Sequence, residues 1–313
     1  MTSLDSNRSL AVRVPASTSN LGPGFDCLGL ALDLFIDVRL SAAAPGEATS
    51  RTLSGPSSSA WPSVESDLTL RAFAHACERF GVPEQPLSWQ IASEVPIGRG
   101  LGSSGAAVAA GIRLAGALAP RPPSLEQELA LGIELEGHPD NVTASLIGGA
   151  TLCVPIEGEA PACTSVELSP ELGFALAWPQ EALTTSAARE ALPTSVDFRD
   201  AIENPRRLGL LLAGLRTADP RLLALGGEDR LHERYRLPLI PGAEDALRAA
   251  RDSGAWLATL SGSGSALFAI TDRSRADRVA ESMRAELEAA RPGAVGRSAS
   301  AVHEGAIVRE VEV

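Results

Sequence analysis

The chain has 313 residues, 44% of them hydrophobic, which is typical of a globular protein long enough for two domains. Its 39 acidic residues against 27 basic ones give a net charge of −12, which argues against nucleic acid and anionic membranes as partners. Residues 1–25 lack the basic start and apolar run of a signal peptide, and no later segment has the roughly 20 apolar residues of a membrane span.

Hydrophobic patterning predicts a mixed first half of the chain. The predicted strands there are 10–14, 28–40, 50–54, 87–95 and 149–154. The predicted helices are 68–80, 103–117, 124–137 and 141–146. Residues 15–25 are rich in turn-forming types, and we expect them to form a turn between the first two strands.

The second half shows the same mixture, after a predicted boundary in residues 155–161. Its predicted strands are 173–178, 256–260, 266–270 and a closing strand near 298–309. Its predicted helices are 186–191, 204–216, 220–225, 242–253 and 274–290. Because strands and helices interleave irregularly, we predict an α+β fold with domains 1–160 and 161–313 rather than a doubly wound parallel sheet.

The four cysteines are Cys27, Cys77, Cys153 and Cys163. None of them forms a C-x-x-C pair, and their spacing predicts neither a zinc site nor a disulfide framework. We therefore expect four buried, reduced thiols and a cytoplasmic protein.

The segment from Pro96 to Ala107 has the pattern of a phosphate-binding loop. Gly98, Gly100 and Gly102 alternate with other residues, and two serines follow where a helix is predicted to begin. Such a loop can direct several backbone N–H groups at one anion, and the helix N-terminus adds about half a positive charge. The chain contains no lysine, so this is not a Walker A loop, and a Schiff-base lysine is excluded too. The alternative is a flexible turn before an ordinary core helix.

Three motifs in order resemble the GHMP kinases, a family of small-molecule kinases. They are Pro15–Asp26 (PASTSNLGPGFD), the glycine loop Pro96–Ala107 (PIGRGLGSSGAA) and Ser261–Phe268 (SGSGSALF). The segments ELEGHPDNV at 134–142 and YR at 235–236 are similar to the homoserine kinase branch of that family. The resemblance covers residues 10–309.

The resemblance implies a two-domain GHMP kinase fold, with an N-terminal domain like domain 2 of ribosomal protein S5 and a ferredoxin-like C-terminal domain. It implies ATP-dependent, Mg²⁺-dependent phosphorylation of L-homoserine to O-phospho-L-homoserine in threonine biosynthesis, by direct in-line transfer. It also implies a homodimer, since dimers are common in the family. Two alternatives stay open: a kinase of this family acting on another alcohol or sugar, and a catalytically silent binding protein.

The resemblance also assigns roles to individual residues. ATP binding is assigned to Pro96, Ile97, Gly98, Arg99, Gly100, Leu101, Gly102, Ser103, Ser104, Gly105 and Ala106. Substrate binding is assigned to Asn20, Asp26, Asn141, Thr185, Arg189, Arg236 and Gly264. Asp26 would hold the substrate ammonium, and the two arginines its carboxylate. Without the resemblance, Asn20 and Asp26 could equally stabilise their own turn, and each arginine could be a solvated surface charge.

Catalysis is assigned to Asn141 and Asp26. Asn141 stands where other GHMP kinases commonly have an aspartate base. An amide can orient the hydroxyl but cannot take its proton, so we predict transfer without a dedicated strong base. For His138 and His232, helix-end capping or support of the site is favoured over a general-base role. The four tryptophans are interpreted as packing residues.

Mg²⁺ binding is assigned to Ser104 and Glu134, with Glu136 as the alternative carboxylate. Three residues depart from the family pattern: Gly105 replaces the usual Ala, Ser265 the commoner Pro, and Asp67 an Asn near the adenine pocket.

Overall fold

The computed structural model describes Leu4 and residues 8–312, apart from the side chain of residue 312; the predicted loose start, residues 1–8, lies almost wholly outside this range. The strands are β1 (Arg8–Asn20), β2 (Gly24–Ala42), β3 (Ser50–Ser54), β4 (Leu87–Ser93), β5 (Ala150–Val154), β6 (Ala162–Val166), β7 (Leu172–Trp178), β8 (Leu257–Leu260), β9 (Leu267–Asp272), β10 (Val295–Ala299) and β11 (Ile307–Glu312). The helices are α1 (Leu68–Phe80), α2 (Ser103–Leu118), α3 (Leu125–Glu136), α4 (Asp140–Ile147), α5 (Thr185–Glu190), α6 (Phe198–Thr217), α7 (Pro220–Gly226), α8 (Glu233–Arg236), α9 (Ala243–Asp252) and α10 (Ala276–Ala290).

The strands form two sheets. The first has the order β11-β1-β2-β4-β3, with β5 pairing to β2 and β6 to β5, and β3–β4 is its parallel pair. The second has the order β10-β7-β9-β8. Numbered along the chain, the second sheet reads 4-1-3-2 in a β-α-β-β-α-β sequence, which is the ferredoxin-like arrangement. The predicted α+β class is confirmed.

The helix around which the site forms is almost wholly buried. Small residues dominate α2, so α1 and α4 pack closely against it: Ala106, Ala109 and Ala110 have no exposed surface. The apolar side chains of α2 belong to one large core with the inward faces of β1 and β2. Removing this surface from water fixes the helix, and with it the direction in which its N-terminus points.

The limits of β1 and α6 differ from the predicted ones. β1 continues through the expected turn to Asn20, where the small polar side chains of Ser17 and Ser19 are buried and hydrogen-bond to Asn141. Helix α6 begins at Phe198 rather than near residue 204, because the Asp197 side chain caps it and Pro205 lies inside it.

The predicted closing strand is two strands in different sheets, because β10 pairs with β7 whereas β11 pairs with β1. β6 and α8 were not predicted. The C-terminal strand and β6 both join the first sheet, so that sheet draws on both sides of residue 160; the domain boundary itself stays a prediction.

The expectation of four reduced thiols is wrong. Cys153 and Cys163 stand opposite each other in the β5–β6 pair and are joined by a disulfide. Their sequence separation of 10 residues gave no sign of this, because a hairpin register brings them together. Cys77 is buried and Cys27 half-buried, and both are free thiols. Burial raises the pKa of Cys27 to about 11 and that of Cys77 to about 12.

Candidate active site

A pocket lies where the glycine loop, the β1–β2 turn, the start of α4 and the loop after β8 meet. Its walls therefore come from all three motifs that the sequence pattern singled out. In the part of the chain that the structure describes, no helix is long and apolar enough to cross a membrane.

The glycine loop has a conformation that other residues would not adopt. Gly98, Gly100 and Gly102 have φ angles of 68°, 73° and 66°. A Cβ atom on Gly100 would lie 2.2 Å from the Ser261 carbonyl oxygen, and one on Gly102 would lie 2.2 Å from Ser17 Oγ. Helix α2 begins directly afterwards, and no side chain caps its first N–H groups. The first turn of a 16-residue helix thus presents unpaired donors to the pocket.

The structure brings only part of the predicted ATP-binding run to the pocket wall. The run members that line it are Ile97, Gly98, Gly100, Gly102, Ser103 and Ser104. Leu101, Gly105 and Ala106 are buried in the protein interior, and Pro96 is half-buried behind the wall. Pro96 and Leu101 belong to the loop, whereas Gly105 and Ala106 lie in the first turn of α2.

The Arg99 side chain also points away from the pocket. Its guanidinium donates to the carbonyl oxygens of Ile97 at 2.8 Å, of Pro179 at 3.2 Å, and of Gln180. The Ala266 amide donates to the Arg99 carbonyl at 2.8 Å. These bonds fix the glycine loop to segments of the second half of the chain.

The β1–β2 turn supplies a charged group. Asn20 and Asp26 both have positive φ angles, 70° and 54°. The Asn20 amide group donates to the Gly262 carbonyl at 2.9 Å and accepts from the Asp26 N–H at 3.0 Å, so it holds the turn in place. The Asp26 carboxylate forms a bidentate ion pair with Arg189 of α5, with both distances 3.0 Å. The structure therefore joins two predicted substrate-binding groups to each other.

Arg236 and Thr185 line the same end of the pocket. Arg236 is only 2% exposed, and burial, followed by the charge of Arg189, lowers its pKa. Gly264 does not reach the wall; Gly262 and Ser263 occupy it instead. The pocket wall therefore includes two neighbours of Gly264 from the same loop, but not Gly264 itself.

Asn141, near the start of α4, is also on the pocket wall. Its Nδ2 donates to Ser17 Oγ at 3.0 Å, and its Oδ1 accepts from Ser19 Oγ at 3.2 Å. The side chain is 8% exposed. Hydrogen bonds from β1 therefore hold both the nitrogen and the oxygen of the Asn141 amide and fix its orientation.

Glu134 is not the carboxylate beside Ser104, and this choice is corrected. Ser104 Oγ donates to Glu136 Oε2 at 2.8 Å. Glu134 is on the other side of α3, where its oxygens accept from Arg79 at 3.1 Å and lie 3.3 Å from His75 Nε2. The helical pattern contained the signal, because the buried residues Glu128 and Gly132 precede Glu136 at intervals of four.

His138 and Asp140 form a second polar pair on the pocket wall. His138 Nδ1 lies 2.7 Å from Asp140 Oδ1, which also accepts from the Asn141 N–H at 2.7 Å. Burial would lower the pKa of His138, but the hydrogen bond and charge of Asp140, with the charge of Glu136, raise it overall. Burial raises the pKa of Glu136 despite its hydrogen bond from Ser104.

Another part of the pocket wall is apolar, and it includes Trp61, which was interpreted from the sequence as a packing residue. Trp61, Pro62 and Leu68 form this wall. Asp67 is fully buried behind them, where it accepts from Trp61 Nε1 at 2.8 Å, from Arg51 and from the Thr69 N–H at 2.8 Å. Trp61 is therefore a pocket residue, and Asp67 fixes its orientation.

The residues that the structure describes contain no cluster of three or more His, Cys, Asp or Glu side chains that could hold a metal. Ser104 and Glu136 are oxygen donors in hydrogen-bond contact at the helix N-terminus. Such a pair fits Mg²⁺, which prefers few protein oxygens and keeps several of its waters.

Comparison with known proteins agrees with this architecture. The model of the GHMP kinase N-terminal domain matches residues 67–149, and that of the GHMP kinase C-terminal domain matches residues 211–289. Homoserine kinase from Gloeobacter violaceus is 40% identical over 275 residues, which are 88% of this chain and 91% of that protein. Homoserine kinase from Moorella thermoacetica is 39% identical over 274 residues, with the same two coverages.

Solved structures extend the likeness to the whole fold. The crystal structure of homoserine kinase from Cytophaga hutchinsonii has a TM-score of 0.86 and 27% identity, covering 99% of both chains. The structure of a mevalonate kinase from L. major has a TM-score of 0.69 at 16% identity, covering 97% of this chain and 99% of the other, and shows the fold alone. The expected two-domain fold is confirmed, and the chain belongs to the GHMP kinase family, among its homoserine kinases.

Proposed function

We propose that this protein is an ATP-dependent homoserine kinase that converts L-homoserine to O-phospho-L-homoserine, the substrate of threonine synthase in threonine biosynthesis. One observation carries the proposal: a single pocket joins an anion-binding helix N-terminus to a paired carboxylate and guanidinium, Asp26 and Arg189. A zwitterionic amino acid that also bears a hydroxyl fits both ends.

The glycine loop and the start of α2 bind the phosphates of ATP. Unpaired backbone donors and the helix dipole complement their negative charge, which a Walker lysine would otherwise do. The rigid loop needs no rearrangement to present these donors, because Arg99 and the Ala266 amide already fix it. The apolar wall that includes Trp61 binds the adenine ring of ATP.

The charged end binds the amino acid. Asp26 accepts from the substrate ammonium, and Arg189 and Arg236 donate to its carboxylate. A zwitterion supplies the same two charges that Asp26 and Arg189 now satisfy in each other, so its entry leaves neither group unpaired. Thr185 lies beside them on the wall.

The hydroxyl then lies between Asn141 and the phosphates. Its oxygen attacks the γ-phosphorus, the bond from that phosphorus to the β-γ bridging oxygen breaks, and ADP leaves with those electrons. The hydroxyl proton passes to the transferred phosphoryl group or to solvent. Asn141 orients the hydroxyl, and Asp26 anchors the substrate ammonium. A loose transition state needs little help from a base, so positioning supplies much of the rate.

Ser104 and Glu136 would hold Mg²⁺, which neutralises charge on the phosphates when it is bound. This pair replaces the one expected from the sequence. The homodimer and the cytoplasmic location remain predictions.

The test is product identification by mass spectrometry after incubation with ATP, Mg²⁺ and L-homoserine, alongside ADP release with a panel of alcohols. We expect O-phosphohomoserine, and much slower ADP release with mevalonate or galactose. ADP release with one of those alcohols but not with homoserine would assign the pocket to a different substrate. Nucleotide binding without any phosphorylated product would indicate a catalytically silent protein.

A further inference from the structure

A buried histidine lies directly behind the arginine of the substrate pocket. His232 precedes α8 and Arg236 ends it, so the two are one helical turn apart. His232 has no exposed surface, and it separates the β1–β2 turn from the guanidinium of Arg236. In the proposed mechanism this imidazole makes no direct contact with the substrate.

The hydrogen bonds of His232 allow only one form of the ring. Nε2 lies 2.9 Å from the Gly22 carbonyl oxygen, which can only accept, so Nε2 carries a hydrogen and donates. Nδ1 lies 3.4 Å from Arg236 Nη1, which can only donate, so Nδ1 accepts. The ring is therefore neutral, and a proton on Nδ1 would set two donors against each other.

The same contacts determine how Arg236 is held. Its Nε donates to the Ala188 carbonyl at 3.2 Å, and its Nη1 also approaches the Gly262 carbonyl at 3.4 Å. Within the described part of the chain, Nη2 of Arg236 makes no hydrogen bond, and it is not fully buried. Because Arg236 lines the pocket, Nη2 is the donor that remains for a ligand.

The surroundings of His232 keep it in this neutral state. The Phe25 ring stacks on it with centroids 5.0 Å apart, and Asp229 Oδ1 lies 3.7 Å from Nε2. Asp229 is itself committed to capping α8, since its other oxygen accepts from three successive backbone N–H groups. Burial lowers the pKa of His232, the charge of Arg236 acts in the same direction, and the charges of Asp229 and Asp26 oppose it.

We infer that His232 is a positioning residue for the substrate carboxylate: as a neutral hydrogen-bond acceptor it fixes the Arg236 guanidinium with Nη2 turned to the pocket. It acts on the substrate only through Arg236. The inference rests on the proposed function, because it takes the ligand of Arg236 to be the homoserine carboxylate.

The experiment compares two substrates that differ only in that carboxylate, L-homoserine and 3-aminopropan-1-ol. In His232→Gln we expect KM for homoserine to rise roughly tenfold, since the charged guanidinium loses the hydrogen bond to the imidazole that fixes it. The kcat/KM for the amino alcohol and the KM for ATP should change less than about twofold. Equal losses for both substrates would overturn the inference and reduce His232 to a structural residue.

Two further variants sharpen this comparison. His75→Gln carries the same substitution on α1, remote from the pocket, and should leave all constants as in the wild type. In an Arg236→Met background, His232→Gln should cause no additional loss with homoserine, because its effect passes through the guanidinium. If the losses from His232→Gln and Arg236→Met were fully additive, His232 would not act through Arg236.

A pH profile of the wild type tests the inference without any variant that could fail to fold. Protonation of His232 below its ordinary pKa of 6.5 should raise KM for homoserine but not for the amino alcohol. His138 titrates with both substrates, so the ratio of the two profiles isolates His232. An equal rise in KM for both substrates at low pH would overturn the inference, whereas absence of phosphohomoserine at every pH would overturn the proposed function.

Discussion

Glu136 and Glu134 are two residues apart on α3 but face different surroundings. Substitution of Glu136 therefore tests the metal site, and the same substitution at Glu134 is its control. Glu136 contacts Ser104 at the pocket, whereas Glu134 pairs with Arg79 outside it. We expect Glu136→Gln to raise the Mg²⁺ concentration for half-maximal rate about tenfold or more, because a carboxylate near the metal is lost. Glu134→Gln should leave that concentration unchanged within about twofold, measured by ADP release across a Mg²⁺ titration. The reverse ranking would restore Glu134 as the ligand.

Asn141 provides the test of a mechanism without a strong base. Asn141→Ala should lower kcat about a hundredfold, because the hydroxyl loses its orientation, and should change the KM for ATP much less. Ser19→Ala should have a smaller effect of the same kind, since Ser19 orients the Asn141 amide. Steady-state kinetics of both variants checks this order. Full turnover in Asn141→Ala would remove the residue from the mechanism.

The residue types of the site could be predicted from the sequence, but not all of their partners. Asp26, Arg189, Arg236 and Asn141 line one pocket, as the motif resemblance implied. The Asp26–Arg189 ion pair was not predicted, because it joins residues 163 positions apart and depends on how α5 is placed. Local spacing carries no information about such contacts.

At the scale of elements, the approach of α2 to α4 depends on a residue without a side chain. A Cβ atom on Gly105 would lie 2.9 Å from Asn141 Cβ and 3.0 Å from the Val142 nitrogen. We expect Gly105→Ala to separate the two helices, to lower the free energy of unfolding by about 1–3 kcal/mol and to reduce turnover through Asn141. This departure from the usual Ala is thus matched by unusually close packing.

Gly209 in the middle of α6 is the matched control. Nothing lies within 4 Å of a Cβ atom added there, so Gly209→Ala should raise the free energy of unfolding by about 0.4–1 kcal/mol. Chemical denaturation of both variants measures the two effects. If both variants were stabilised, the helix contact at Gly105 would be looser than the structure shows.

Element prediction succeeded where the pattern was local. The helix 68–80 and the strand 50–54 have the predicted limits, because their periodicity is local and the caps of the helix, Asp67 and Gly81, directly adjoin it. Helix α6 was predicted to start near residue 204, although seven residues before Pro205 belong to it. There the cap at Asp197 is the stronger signal.

At the scale of the whole molecule, strand pairing is what the sequence left open. The chain end returns to the first sheet as β11, where Val12 pairs with Val308. An alternating pattern shows that a segment is a strand, but it does not show which distant strand is its partner. The division of the chain at residue 160 rests on the order of elements along the sequence, and it stays a prediction.

We expect Glu233 to make the stability of the folded chain depend on pH. It accepts hydrogen bonds from Thr259 and from the Leu260 N–H at 3.1 Å, which joins α8 to the end of β8. Burial, with the charge of Asp229, raises its pKa from the ordinary value of 4.5 to about 7, although the hydrogen bonds and Arg251 oppose this shift. A raised pKa means that the folded state holds a proton which the unfolded state releases.

The contribution of Glu233 to stability is therefore fully present below pH 4.5 and is lost as the pH rises to about 7. Between these values this one group lowers the free energy of unfolding by at most about 1.4 kcal/mol per pH unit. Glu233→Gln, which is always uncharged, should lack this component, so the difference between variant and wild type should grow toward neutral pH and level off above it. Urea denaturation from pH 4.5 to 8 measures both curves. Parallel curves would show that Glu233 is ionised in the folded protein throughout, and that the hydrogen bonds to β8, rather than a bound proton, compensate for its burial.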